Sequence, residues 1–310
     1  MSLNHPIIAV TGASGAGTTM VQQAFKEIFY RQGIKAAFVE GDGFLRYNDA
    51  ETEKFINHAL AEGRHISCYG PDLNNFQQLE SLFSQYSEQG SGRLRYKVSQ
   101  ENQHHYSHPV GEFTEWQDLP AATECLFYEG MHGGVVADTW TRRKDNGVTV
   151  ENDRRAPENK GVDVAQYVDL LIGVVPAINL EWIQRIHHDQ HTKQRSSQET
   201  TDNIVEQLLD YIHFIVPQFS VSDINFQRMP VVDTSNPFDV DRVPAEYESV
   251  IVISFKEPWK HDVVSYASRI EGATLTGRNS ILIPGGKMQH ALDVICAPLI
   301  EALIAGKPAL

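Results

Sequence analysis

Three groups of residues in this chain have types and spacings suited to phosphate chemistry. The first is Gly12-Ala13-Ser14-Gly15-Ala16-Gly17-Thr18-Thr19, which follows the apolar run Ile7-Ile8-Ala9-Val10 and precedes a helical pattern over residues 20–31. The spacing is that of a phosphate-binding loop, with Thr18 where a lysine usually stands. Glycines let successive backbone N–H groups turn inward onto phosphate oxygens. The next helix adds its positive end, and the Thr19 hydroxyl can reach a Mg2+ ion. The plainer alternative is a glycine-rich turn that only closes a helix onto a strand; the strand–loop–helix context favours phosphate. Without the lysine, another cation must offset charge on the β- and γ-phosphates.

The second group is a pair of acids, each just beyond a short apolar run: Asp42 in Glu40-Gly41-Asp42-Gly43-Phe44 and Glu129 in Tyr128-Glu129-Gly130-Met131-His132. Asp42 is either a general base that takes the proton of an attacking hydroxyl or a carboxylate that caps the next helix. Glu129 is either a Mg2+ ligand, direct or through water, or a turn carboxylate. His132 is a candidate substrate-binding residue, against the simpler reading of a hydrogen-bonded loop histidine.

The third group is the cation-rich stretch 179–195, where Arg185, His188 and Asp189 fall three and four residues apart and share a helix face. Lys193 and Arg195 lie just beyond. A lid carrying these would replace the charge missing at Thr18; the plainer reading is a solvated basic helix end. His187, His188 and His191 lack the H-E-x-x-H arrangement of a zinc site and read as lid or solvated histidines.

These groups need a scaffold. Residues 7–10, 36–40, 125–128 and 170–175 are near-continuous apolar runs with polar residues at their C-terminal ends, the pattern of buried parallel strands. In open α/β sheets ligands bind beyond those ends, where the loop, Asp42 and Glu129 all fall. Helical spacing covers 178–190 and 201–216. The C-terminal third is β-rich at 231–232, 249–255 and 280–283 and closes with a helix over 288–305. The length suits one α/β domain spanning 1–310, with a polar loop at 87–109, a charged insertion at 139–160 and a lid region at 185–200.

A formal net charge of −14 argues against a nucleic-acid surface or an anionic membrane as partner. Cys68, Cys125 and Cys296 have no metal-site or disulfide spacing and read as reduced thiols. Neither a signal-peptide pattern nor an apolar run of about 18 residues is evident, so a cytoplasmic location is expected.

The chain resembles the bacterial (class I) phosphoribulokinases, within the uridine kinase-like P-loop kinases, almost from end to end. The resemblance is carried by residues 5–19, Glu40-Gly41-Asp42-Gly43-Phe44, Leu126-Phe127-Tyr128-Glu129-Gly130-Met131-His132-Gly133 and Asn179-Leu180-Glu181-Trp182-Ile183-Gln184. It continues through Pro217-Gln218-Phe219-Ser220, the long run 224–238 and Pro284-Gly285-Gly286-Lys287. It implies a three-layer fold with a mainly parallel central sheet, helices on both faces and extra C-terminal strands. It also implies transfer of the ATP γ-phosphate, with Mg2+, to the C1 hydroxyl of ribulose 5-phosphate. Asp42 would be general base and Asp189 a second catalytic acid, with Arg185 and Lys193 closing on the γ-phosphate. Glu129 and Thr19 would hold the metal, residues 12–19 the nucleotide, and Arg46, His132 and His188 the substrate. A homo-oligomer, activation by NADH and inhibition by AMP are implied as well, and the absent loop lysine is a trait of this family.

The departures cluster at the acceptor end. Leu45, Asp49, Glu53 and Ser99 stand where the family has His, Arg, Lys and His. At an effective dielectric of about 20, a unit-charge pair at about 4 Å is worth roughly 4 kcal/mol, so exchanging Arg for Asp beside a phosphate matters. A kinase for a less anionic acceptor, such as a nucleoside or polyol, and a non-catalytic nucleotide-binding homologue are therefore the alternatives.

Overall fold

A computed structural model of the chain describes residues 5–12, 18–135, 162–238 and 241–306, apart from the side chains of Thr18, Thr19, Thr192 and Lys193. Its central sheet begins with β1 (Ile7–Gly12), which leads towards α1 (Thr18–Gln32). Next come β2 (Ala36–Glu40), a 3-10 turn over Gly41–Phe44, α2 (Asp49–Ala61) and α3 (Phe76–Gln89). A small antiparallel pair, β3 (Arg93–Leu94) and β4 (Gln117–Asp118), precedes β5 (Cys125–Gly130). β6 (Leu170–Pro176) runs into α4 (Ile178–Lys193) and α5 (Ser197–Asp210); a π-helical turn over Tyr211–Ile215 joins α5 to α6 (Val216–Val221). The C-terminal part holds β7 (Ile224–Pro230), β8 (Ser249–Phe255), α7 (Val263–Arg269), β9 (Thr274–Leu275), β10 (Ser280–Pro284) and α8 (Met288–Ile304).

The sheet order is β2-β5-β1-β6-β7-β8-β10-β9. The five strands from β2 to β7 pair in parallel, and β8, β10 and β9 continue antiparallel. Strand alternation divides the core between the two faces. Ile8, Val10 and Phe127 pack with Phe25 and Phe29 of α1 and with α8, while Ile7, Ala9 and Tyr128 pack with Phe76, Phe83 and Tyr86 of α3. The architecture is the mainly parallel α/β sheet with added C-terminal strands that the sequence implies.

Three element readings differ in detail. Residues 231–232 lie just past a strand that is in fact β7; its alternately half-buried Ile224-Asn225-Phe226-Gln227 masks it as a continuous apolar run. α5 starts four residues earlier than 201, because Ser196 caps it and Glu199 reaches back to complete a capping box. The helical reading to 216 is broken by the π turn, where Pro217 has no N–H to continue the hydrogen-bond ladder. The stretch 87–109 contains the end of α3, β3 and a 3-10 turn at Gln103–His105. The insertion 139–160 lies outside the described residues.

Candidate active site

The site is built at the C-terminal ends of β1, β2 and β5. In register, Glu129 of β5 lies beside Val10 of β1 on one side and Glu40 of β2 on the other. It is thus a strand residue, half-buried, at the point where β1 runs into the phosphate-loop sequence. Gly41 and Gly130 meet back to back. A Cβ on Gly130 would fall 2.8 Å from the Gly41 Cα, and one on Gly41 would fall 2.5 Å from the Tyr128 hydroxyl. Any larger residue at either position would push the β2 and β5 ends apart. Tyr128 itself is buried, and desolvation pushes its phenol up.

Asp42 sits on the 3-10 turn just after β2. Its side chain is open to solvent yet crowded by protein, and desolvation raises its carboxyl above the usual range. Lys97 opposes that rise and Asp49 adds to it. The helix-capping reading fails: α2 is capped by Asn48, with Glu51 completing a capping box. Among the described residues no hydrogen bond engages the Asp42 carboxylate, and burial and charges alone set its shift.

Two clasps fix this corner. Arg95 donates from Nε to the Gly43 carbonyl at 2.9 Å and from Nη2 to the Leu45 carbonyl at 2.6 Å, bracketing the turn that carries Asp42. Its guanidinium lies 3.6 Å from the Phe113 ring centroid and 4.9 Å from that of Trp116. Trp116 meets Phe44 edge to face, so the aromatic shelf continues under the turn. The second clasp is Gln218, fully buried on α6. Its Oε1 lies 2.6 Å from the Thr11 hydroxyl and accepts from the Gly134 N–H, while its amide donates to the carbonyls of Met131 and Phe214. One side chain thus ties the end of β1 to the turn after β5.

α4 carries the lid candidates. Arg185 donates to the Tyr69 hydroxyl at 2.7 Å, to Asn203 Oδ1 at 2.9 Å and to Gln207 Oε1 at 2.8 Å. These partners are neutral, so they orient the guanidinium without cancelling its charge. Asp189 is buried, with Arg195 Nη1 3.6 Å from its carboxylate, and His188 is exposed. Glu181, in the first turn of the same helix, accepts from Tyr211 at 2.9 Å, and burial raises its carboxyl.

A match to the phosphoribulokinase/uridine kinase family model covers residues 7–235. A phosphoribulokinase of Nitrobacter vulgaris is 43% identical over 309 residues, spanning 99% of both chains, and a plasmid-borne one of Cupriavidus necator is 44% identical over 302 residues, spanning 97% of this chain and 96% of the relative. The solved phosphoribulokinase of Rhodobacter spheroides superposes with a TM-score of 0.84 at 40% identity, covering 98% of this chain and 99% of that one. The chain belongs to the phosphoribulokinase/uridine kinase family. It has the P-loop kinase fold of that family.

Within this family member the named residues are distributed unevenly. Asp42 and Glu129 converge, and Gly12 ends β1 with no room for a side chain, a Cβ there falling 2.6 Å from the Val174 carbonyl oxygen. Ala13, Ser14, Gly15, Ala16 and Gly17 lie outside the described residues; Thr18 and Thr19 open α1 and Lys193 ends α4, their side chains likewise outside. Arg46 is turned to a bracing task, donating to the Pro71 carbonyl and to Gln77. His132, expected as a substrate contact, lies inside the protein. It is 4% exposed and packed edge to face on Phe76, with both ring nitrogens unpartnered among the described residues; burial drives it down to about 3, so the ring is neutral. Arg95 and Lys97 were missed. Their signal is Arg93-Leu94-Arg95-Tyr96-Lys97, basic residues at alternate positions inside an otherwise polar loop of an acidic chain.

Proposed function

We propose that this chain transfers the γ-phosphoryl group of ATP to the C1 hydroxyl of ribulose 5-phosphate. Asp42 is the group that carries the proposal: a crowded, solvent-reachable carboxylate with no hydrogen bond among the described residues, backed through Gly41 and Gly130 onto the strand end of Glu129. As the acceptor oxygen bonds to the γ-phosphorus, its proton passes to Asp42 and the β–γ bridging P–O bond breaks, leaving ADP. A base with a raised pKa suits a hydroxyl proton better than an ordinary aspartate does.

The half-buried Glu129 carboxylate beside β1 is a hard-oxygen donor at the place a divalent cation needs one, and with the Thr19 hydroxyl it would hold Mg2+. When bound, that ion offsets phosphate charge. Residues 12–19 would grip the nucleotide phosphates. Arg185 and Lys193, with Asp189 and His188 on the same helix, would complete the charge around the transferring group once α4 closes. Arg46 would act beside the acceptor through its bracing of the loop before α3. NADH and AMP as effectors, a homo-oligomer and a cytoplasmic location belong to the same reading, and Cys68, Cys125 and Cys296, which form no disulfide among the described residues, are consistent with a reducing compartment. No described helix is long and apolar enough to cross a membrane.

The test is ADP release by the purified chain with Mg-ATP and ribulose 5-phosphate, set against ribulose, uridine and ribitol. Preference for the phosphorylated sugar is expected; equal or better turnover of an uncharged acceptor would overturn the substrate assignment.

A further inference from the structure

With a net charge of −14, this chain repels an anionic acceptor over most of its surface, so a cation held inside the cleft has disproportionate weight. The basic side chains around the Asp42 turn are mostly engaged. Arg95 is consumed by two backbone carbonyls, Arg46 by Pro71 and Gln77, and Lys26 by Gln22 with its ammonium 5.7 Å over Phe38. Lys97 is different. Its ammonium lies 2.5 Å from Asp49 Oδ1, in an ion pair. An ammonium has three N–H donors, so two remain for a ligand.

The two members of this pair are unequally held. The Lys97 side chain is 19% exposed, whereas that of Asp49 is 64% exposed. Lys97 is fixed from behind: it bridges to Phe113, its carbonyl accepts from Asn102, and Arg95, two residues earlier, is locked under the turn that carries Asp42. Asp49 is the first residue of α2 and its carboxylate faces water beside Gly111. The cation therefore stays when the carboxylate leaves. Lys97 also lies close enough to Asp42 to be the leading charge that opposes the effect of burial on that base.

We propose that Lys97 binds the phosphate of the acceptor, and that Asp49 occupies Lys97 until that phosphate displaces it. The assignment rests on the reading of the chain as a sugar-phosphate kinase. An ion pair with a largely exposed partner contributes little, whereas a phosphate dianion offers an ammonium shorter, stronger charge-assisted hydrogen bonds, so the exchange runs towards the ligand. The positive charge that position 49 lacks is thereby delivered to the acceptor end from the β3 segment. Asp49 becomes a competitor of the substrate and not its ligand.

The experiment is steady-state kinetics of the full chain and its K97M, K97R and D49N variants, varying ribulose 5-phosphate and ATP separately, with ribulose as the uncharged comparison. K97M is expected to raise KM for ribulose 5-phosphate by about tenfold or more, equivalent to one lost charge-assisted contact, and to collapse the preference over ribulose while KM for ATP stays within about twofold. K97R recovers most of the loss, and D49N lowers KM for ribulose 5-phosphate below that of the parent chain. An unchanged acceptor KM in K97M, an equal rise in both KM values, or a raised acceptor KM in D49N each overturns the assignment. K97R and D49N keep the question decidable if K97M does not fold. A parent chain that ignores ribulose 5-phosphate defeats the proposed function itself, which an active parent with an indifferent K97M does not.

Discussion

The corner around Asp42 and the helix α4 are held by different kinds of bond. The corner is anchored through main chain: Gly41 against Gly130, Arg95 on two carbonyls, and Gln218 on Met131, Gly134 and Phe214. The basic face of α4 is anchored side chain to side chain, Arg185 on Tyr69, Asn203 and Gln207 and Asp189 beside Arg195. Main-chain anchors leave the base one position. Side-chain anchors allow exchange by rotamer changes, each costing little, when a phosphate offers stronger bonds. On the proposed function, the position of the proton acceptor is prearranged while the charge around the transferring phosphate is assembled on binding.

Asp42→Asn should separate activity from stability most sharply. We expect kcat to fall by about 10²- to 10⁴-fold, while Tm is unchanged or higher because a desolvated carboxylate is gone. A parallel loss of Tm and activity would make Asp42 a structural residue. Arg95→Met comes next. Losing two charge-assisted hydrogen bonds and the aromatic stack should destabilise the chain by about 2–4 kcal/mol and lower kcat more than it alters KM for ATP; Arg95→Lys should recover little, since an ammonium cannot bracket two carbonyls. Urea titration and kinetics of both variants would check this, and a fully active Arg95→Met would break the contrast between corner and α4.

The pH profile is a smaller effect with a definite sign. Burial raises the Asp42 pKa, so the acid limb of kcat/KM should lie above the ordinary aspartate value of 3.8, with activity lost as pH falls through the raised value. Lys97 opposes the rise, so K97M should move that limb to higher pH. Linkage runs the other way for folding: between 3.8 and the raised value the folded state holds more protons on Asp42, so this group costs stability as pH rises through that window. Chemical denaturation of the parent and Asp42→Asn across that range would reveal it. Tyr69→Phe should do least, removing one of three Arg185 contacts and changing KM for ATP by less than about tenfold.

Much of the scaffold was legible because its buried parallel strands are continuous apolar runs: β2 and β8 begin and end where the sequence suggests, and β1, β5 and β6 extend by one or two residues. β7 was not, because only alternate side chains are fully buried there, and α2 and α3 escaped because their exposed faces are strongly polar. In the site, Asp42 and Glu129 were visible as acids at strand ends, a local signal. Arg95 and Lys97 reach the same corner only because β3 pairs with β4 and Lys97 bridges to Phe113, contacts that no local pattern encodes. The burial of His132 was hidden for the same reason: Phe76, which packs on it, lies on a helix far away in the chain.

The back-to-back glycines have a consequence for how such a kinase changes its diet. On the proposed function, the interval between the proton acceptor Asp42 and the metal-binding acid Glu129 is set largely by the close approach of Gly41 and Gly130. Positions such as Leu45, Asp49, Glu53 and Lys97 are then free to be rewritten for a new acceptor while the reach of the transfer step stays the same. A swap of Gly41 or Gly130 for alanine should, by contrast, impair every acceptor alike.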